Sequence, residues 1–232
     1  MKKSISRAKL LIKHILGRDL YLRPEKTVST RFYGSDYGGW ALPVGAVNRD
    51  SIVYSFGIGE DASFDLALIT ETGCQVHGFD PTPKSLSWVA DNIRNDRFSI
   101  HPWALGDEDG TMELWLPDNP DHVSASCRKS DRTSDSSFIA ECKRLPTIMK
   151  LLGHRKVDVL KMDIEGAEYT VIKTMAADGT LERISCLLVE FHHWMPSFVN
   201  QDTLEVLDIL RGKGFKLLWV SDSGHELLME RM

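Results

Sequence analysis

Short runs of β-branched and aromatic residues recur along the chain, and most are followed by a stretch whose apolar residues fall three and four apart. The first pattern predicts buried strands and the second predicts helices packed on them. Residues 51–56, 75–79, 98–103, 157–162 and 184–191 read as strands. Residues 62–72, 82–95, 145–153, 203–213 and the segment from Ala167 onward read as helices. Residues 111–116 alternate and predict an added β-segment; residues 215–220 and 226–230 flank a polar turn and predict a closing antiparallel hairpin. Strand alternating with helix predicts a single α/β domain on a mostly parallel sheet, with helices on both faces.

Three stretches break this rhythm. Residues 4–20 predict an amphipathic helix, with Leu10, Leu11, Ile15 and Leu16 on one side and Arg7, Lys9, Lys13 and Arg18 on much of the rest. Residues 29–48 mix glycine, aromatic and polar residues without a period, which predicts a loop serving as a lid or as a cap on the sheet edge. Residues 117–138 are rich in Asp, Ser, Asn and Pro and predict a long loop, in which residues 123–126 are the candidates to line a pocket. The chain thus divides into a basic helical arm, residues 1–28, and a domain, residues 29–232.

Charge sharpens that division. Nine Lys or Arg and two acids fall within residues 1–31, whereas the whole chain carries a net charge of −5. An acidic domain has no global attraction to nucleic acid. A basic amphipathic helix attracts an anionic lipid surface, so a peripheral membrane contact is the alternative to simple packing on the domain. The segment is a poor signal-peptide core, being interrupted by Lys13 and His14. Cys74, Cys127, Cys142 and Cys186 form no CxxC pair, which points to a reducing compartment and a cytoplasmic location.

The chemistry clusters at strand ends, where open α/β sheets bind their ligands. The first strand runs into Gly57-Ile58-Gly59-Glu60-Asp61 and then a helix, a nucleotide-binding opening that lacks the third glycine of the dinucleotide fingerprint. Acids at this turn would repel a pyrophosphate and suit a cationic ligand. Asp80, followed by Pro81, ends the second strand about 20 residues on, where a carboxylate binds ribose hydroxyls or caps the next helix. Asp163 ends the strand at residues 157–162, ahead of Glu165 and Glu168, which read as turn and helix-start acids. Lys161, on the same strand face as Asp163, reads as a site residue or half of a buried ion pair. Glu190 and His192 share a face at the end of a further strand and converge on Asp163 if the two strands are neighbours.

The segment Leu160 to Glu168, LKMDIEGAE, resembles the signature of the FkbM-type methyltransferases, supported by residues 56–60, 79–83 and 190–192. The similarity covers about residues 30–230. It implies the Rossmann-like class I methyltransferase sheet, seven strands with the last antiparallel. It also implies S-adenosyl-L-methionine as cofactor and O-methylation of a hydroxyl on a sugar, glycan or natural product. Gly57, Gly59, Glu60, Asp61, Asp80, Pro81, Ala104, Leu105 and Asp163 are then expected at the cofactor, with Trp103 beside the adenine or in the core. Many members carry an acid where this chain has Ser55. His192 is the expected general base, because an imidazole titrates near neutral pH, with Glu190 or Asp163 orienting it. No metal ligand is assigned; Mg²⁺ held by Asp163, Glu190 and His192 stays open. The competing readings are a non-catalytic binding module on the same fold and an NAD-dependent oxidoreductase, the latter disfavoured by the acidic turn.

Overall fold

The computed structural model describes residues 2–119, 125–126 and 133–232. Helix α1 (Lys2–Ile15) leads into an antiparallel ribbon of β1 (Thr30–Tyr33) and β2 (Trp40–Pro43). Strand and helix then alternate: β3 (Ile52–Phe56), α2 (Ser63–Thr72), β4 (Gln75–Phe79), α3 (Pro83–Asn92) and β5 (Phe98–His101). A side sheet follows, of β6 (Trp103–Leu105), β7 (Gly110–Pro117) and β8 (Thr133–Lys143). The alternation resumes with α4 (Leu145–Leu152), β9 (Val157–Met162), α5 (Glu168–Ala177), a 3-10 turn (Thr180–Arg183) and β10 (Ile184–Glu190). Helix α6 (Asn200–Gly212) and the hairpin of β11 (Phe215–Val220) and β12 (Glu226–Arg231) come last.

Among the described residues the central sheet has seven strands in the order β11-β12-β10-β9-β3-β4-β5. Strand β12, last in sequence, is antiparallel to both neighbours, and the remaining pairs are parallel, as the sequence led us to expect. Parallel strands are covered on both faces, which is why four of residues 157–162, Val157, Val159, Leu160 and Met162, are apolar. One face buries Tyr54, Phe56, Leu160 and Leu187 against Ile148 of α4, Ile172 of α5 and Leu207 of α6. The other buries Val53, Val76, Val159 and Leu188 against Phe64 and Leu68 of α2 and Val89 of α3. Each such side chain contributes about 1.5–3 kcal/mol by leaving water. The chain proceeds from β3 toward β5 on one side and from β9 toward β10 on the other. The switch point therefore lies between the neighbouring strands β3 and β9.

Three expectations are corrected. Residues 29–48 are not a loop: they form the β1–β2 ribbon, whose Trp40, Ala41 and Leu42 are buried against the domain rather than alternating with solvent. The strand expected over 98–103 breaks at Pro102, which lacks the N–H a ladder needs, and the chain passes from β5 of the central sheet to β6 of the side sheet. The long loop expected over 117–138 gives way from Thr133 to β8, a polar strand held by antiparallel pairing with β7. Val123 and Ser124 lie outside the described residues.

Among the described side chains of the arm's apolar side, Leu10 is buried, lodged against Gly224, while Leu11, Ile15 and Leu16 are exposed. The following turn buries Asp19, whose carboxylate accepts from Leu20 N–H at 2.9 Å and pairs with His193 Nε2 at 2.9 Å. His225 Nε2 lies 3.4 Å from the same carboxylate and Lys13 Nζ also reaches it. These contacts tie the arm to the end of β10 and to the β11–β12 turn.

On β4, His77 is buried against Tyr54, His101 and His154. Burial, with the neighbouring imidazoles, pushes its pKa down from 6.5 to about 4. The folded protein therefore holds His77 neutral while the unfolded chain takes up a proton below pH 6.5, so stability is lost as pH falls through that window. Urea unfolding at pH 7 and pH 5 should show a loss of about 2 kcal/mol from this group. The His77→Phe variant should show a correspondingly smaller loss.

Candidate functional site

Beyond the carboxyl ends of β3, β4, β9 and β10 opens a cleft of about 1370 Å³. That volume exceeds the usual span of small-ligand pockets, about 300–1,000 Å³, and leaves room for two ligands side by side. Its floor is the turn after β3. Gly57 and Gly59 have φ of 77° and 57°, conformations that side-chain-bearing residues seldom adopt. A Cβ on Gly57 would overlap the carbonyl oxygen of Asp163, so only glycine lets the turn pass under β9. Asp80, at the end of β4, is buried and braces this turn. Its Oδ2 accepts from the N–H groups of Ile58 (3.1 Å) and Gly59 (2.9 Å), and its Oδ1 accepts from Thr82 N–H (2.9 Å). A carboxylate has about four lone-pair sites, so one on Asp80 is left for a ligand hydroxyl.

Lys161 enters the same turn from β9. Its buried ammonium donates to the carbonyl oxygens of Phe56 (3.1 Å) and Gly57 (2.8 Å) and sits 5.8 Å from the Trp40 ring centroid. Of the two acids expected at the turn, Glu60 pairs with Lys84 at 3.1 Å. Asp61 accepts from Ser35 Oγ (2.6 Å) and Ser63 N–H (2.8 Å), joining the ribbon turn to the start of α2. Pro81, Ala104 and Leu105 line one wall. Trp103 stacks on His101 at a centroid distance of 5.0 Å and also borders the cleft.

The opposite wall is charged. Adjacency of β9 and β10 brings Asp163, Glu165, Glu190 and His192 together. His192 is 1% exposed, and its Nε2 lies 3.6 Å from Glu165 Oε2, 3.8 Å from Asp163 Oδ1 and 4.0 Å from Glu190 Oε1. The residue that orients it is neither Glu190 nor Asp163, as expected, but Glu168. This fully buried carboxylate accepts from the His192 N–H (3.0 Å) and from Nδ1 (3.1 Å), and from the Gly166 N–H (2.9 Å). Burial alone would lower the imidazole pKa, but the Glu168 hydrogen bond and the charges of Glu168, Glu165 and Asp163 raise it to about 10. Burial and repulsion from Asp163 push Glu190 up to about 8. The crowding of carboxylates contributes to both shifts, second to burial for Glu190 and against burial for His192. The surrounding carboxylates thus favour the protonated form of His192.

The residues expected from the sequence at the cofactor and in catalysis all line this cleft; Glu165 and Glu168, read as turn and helix-start acids, were not expected there. A signal was available, because Glu168 stands four and seven residues before Ile172 and Met175 and so shares their buried face. An acid on an apolar helix stripe is a buried acid, and such acids have partners.

A family model described as the methyltransferase FkbM domain matches residues 44–217. Two curated relatives bear the name "Probable methyltransferase-like protein 24". The one from Homo sapiens is 30% identical over 152 residues, 65% of this chain and 35% of the relative. The one from Rattus norvegicus is 29% identical over 147 residues, 63% of this chain and 34% of the relative. The chain spans about a third of the length of these relatives. Among solved structures, a fibrillarin/Nop5p complex aligns with 98% of this chain and 82% of its own at TM-score 0.48 and 13% identity. Aeropyrum pernix fibrillarin with natively bound S-adenosyl-L-methionine aligns with 88% of this chain and 83% of its own at TM-score 0.43 and 8% identity.

Two substitutions separate support from strain in this wall. Glu168→Ala removes the acceptor of three N–H groups and should cost about 3 kcal/mol in urea unfolding. Glu190→Gln relieves a raised carboxylate and should leave stability at pH 7.5 unchanged or increased. A Gly57→Ala variant, forced into both a left-handed φ and an overlap, should lose at least about 2 kcal/mol.

Proposed function

Because this chain belongs to the FkbM methyltransferase family, matched over residues 44–217, we propose that it transfers the methyl group of S-adenosyl-L-methionine to a hydroxyl of a sugar, glycan or natural-product acceptor. The observation that carries the reading is the pairing of two features across one cleft. A glycine turn braced by Asp80 faces a carboxylate–imidazole wall of Asp163, Glu190 and His192.

The donor follows from charge. Lys84 offsets Glu60, but among the described residues Asp61 and Asp80 are met by hydroxyl and N–H donors and by no cation within 4 Å. The turn keeps its negative charge, which disfavours a pyrophosphate and favours a sulfonium and an amino group. The remaining lone pair of Asp80 serves a ribose hydroxyl, and Pro81, Ala104 and Leu105 give the adenine an apolar wall. On the acceptor side, Tyr37, Trp194 and Phe198 border the cleft and offer apolar faces to a sugar ring.

The reaction is an in-line displacement. A lone pair of the acceptor oxygen forms the new bond to the methyl carbon, the carbon–sulfur bond breaks, and its electrons stay on sulfur as S-adenosylhomocysteine. The hydroxyl proton leaves to a base. Holding the reactants in line supplies much of the acceleration. We assign the base to Glu190, because the neighbouring carboxylates favour the protonated form of His192, whose Nδ1 is engaged by Glu168. The incoming sulfonium neutralises part of the carboxylate excess and leaves Glu190 ionised. His192 and Asp163 fix the field around the reacting oxygen.

Calorimetric titration with S-adenosylhomocysteine should show binding, with none to NAD. Binding to NAD alone would overturn the methyltransferase reading. Glu190→Gln should bind S-adenosylhomocysteine as the parent does and lose about 10²-fold or more in turnover once an acceptor is supplied. Donor binding without turnover on any of a panel of hydroxyl acceptors would favour a binding module on the same fold.

A second reading concerns location. The exposed Leu11, Ile12, Ile15 and Leu16 of α1 and its last turn stand beside Lys9, Lys13 and Arg18, a surface suited to an anionic bilayer. Among the described residues no helix is long and apolar enough to cross a membrane. Sedimentation with phosphatidylserine vesicles should retain the chain and release the Ile12→Ser, Ile15→Ser double variant; equal retention of both would remove this reading.

A further inference from the structure

The ammonium of Lys161 is buried at the glycine turn, where a charge needs a counterweight. An ammonium has three N–H groups, and the carbonyl oxygens of Phe56 and Gly57 take two of them. Carbonyl dipoles lessen the cost of burying a charge; a group of opposite charge offsets more of it. The sheet register shows where such a group can stand. Ser55 of β3 is the register partner of Lys161 on β9, and Gly78 of β4 lies on its other side. Side chains alternate along a strand, so Ser55 and Lys161 share the face of Val53 and Val159, two positions back. Helix α2 covers that face through Phe64 and Leu68. Between these two residues in sequence, in the first turn of α2, stands a buried acid, Asp65.

Three observations join Asp65 to this spot. Ser55, Asp65 and Lys161 are 0%, 2% and 5% exposed, so all three are shielded from bulk solvent. Burial pushes the Asp65 carboxyl up to about 6, and Lys161 is the leading influence in the opposite direction, followed by Ser55. Among the described residues, neither Asp65 Oδ1 nor Ser55 Oγ completes a hydrogen bond. An unmet acceptor on a buried acid is costly unless a nearby charge uses it. We propose that Asp65 is the counter-charge of Lys161, that it keeps the ammonium on the backbone of the glycine turn, and that it is thereby a positioning residue for the ligand this turn holds.

The consequence for binding follows from charge. Lys161 also borders the cleft. Without Asp65 the floor loses a negative charge, and the ammonium is free to leave the two carbonyl oxygens for the cleft. Both changes oppose a cationic ligand there. S-adenosyl-L-methionine carries a sulfonium where S-adenosylhomocysteine carries a neutral sulfur, so the two ligands report on this charge directly. That readout rests on the methyl-transfer reading; the pairing of Asp65 with Lys161 does not.

The test moves the carboxylate. Asp65→Ser is compared with the double variant Ser55→Asp, Asp65→Ser, which returns an acid to the register position beside Lys161. Urea unfolding and calorimetric titration with both ligands are run on each full chain. Asp65→Ser should raise the unfolding equilibrium constant at least about 100-fold, as expected when one member of a buried pair is removed. It should weaken S-adenosylhomocysteine about threefold to tenfold, and S-adenosyl-L-methionine by a further factor of about three or more. The relocated acid should bring all three quantities back to within about threefold of the parent. A relocated variant as impaired as Asp65→Ser, or as unable to fold, would overturn the proposal. So would an Asp65→Ser variant that loses stability but binds both ligands as the parent does. If the parent binds neither ligand, the donor reading fails, and unfolding of Lys161→Met, Asp65→Ser and their double variant decides the pairing. The double variant should lose clearly less than the two single losses combined; additive losses would overturn it.

Discussion

One buried carboxylate holds the working wall of this protein in place. Glu168 opens α5 and reaches across to the end of β10, where it accepts both the N–H and the Nδ1 of His192, while its second oxygen accepts the Gly166 N–H. Burying a carboxylate is costly unless its lone pairs are met by donors, and here three donors converge on it. Two strand ends that would otherwise be flexible loop starts become one rigid surface. The imidazole gains a fixed orientation, and the neighbouring Asp163, Glu165 and Glu190 are held close to it in spite of their mutual repulsion. The rest of the fold supplies the setting: β9 and β10 are adjacent, α5 and α6 pack beneath them, and the switch point between β3 and β9 leaves the cleft open above.

The opposite wall follows the same principle with smaller charges. Asp80 braces a turn that only glycine can make, and Lys161 closes it from the other side through two carbonyl oxygens. Both side chains act on the backbone, so this floor is rigid before any ligand arrives. Ser55 stands where the family resemblance led us to expect an acid, and the turn does not depend on one there. The turn is held by Asp80 and Lys161, and negative charge is supplied by Asp61 and Asp80.

The central sheet was legible because its strands are buried on both faces and end sharply. Val157, Val159, Leu160 and Met162 form an apolar run interrupted by Asp158 and Lys161, and Gly57, Asp80, Asp163 and Glu190 mark where runs stop. The peripheral strands were not legible. The β1–β2 ribbon is short, and its buried Trp40, Ala41 and Leu42 lack the alternation that marks a strand. The start of β8 reads Thr133-Ser134-Asp135-Ser136-Ser137, whose order comes from pairing with β7 rather than from its own residues. Within the site, the individual acids could be named because they stand at strand ends. Their relations could not, since the bond between Glu168 and His192 spans 24 positions and depends on which strands are neighbours.

In the proposed reading one cleft presents a methyl donor to the carboxylate–imidazole wall. The most direct measurement is a crystal structure of the chain with S-adenosylhomocysteine. The adenosine is expected between Asp80 and the Ala104–Leu105 wall, with the sulfur facing Asp163, Glu190 and His192. A ligand bound with its sulfur turned away from that wall, or bound elsewhere on the molecule, would contradict it.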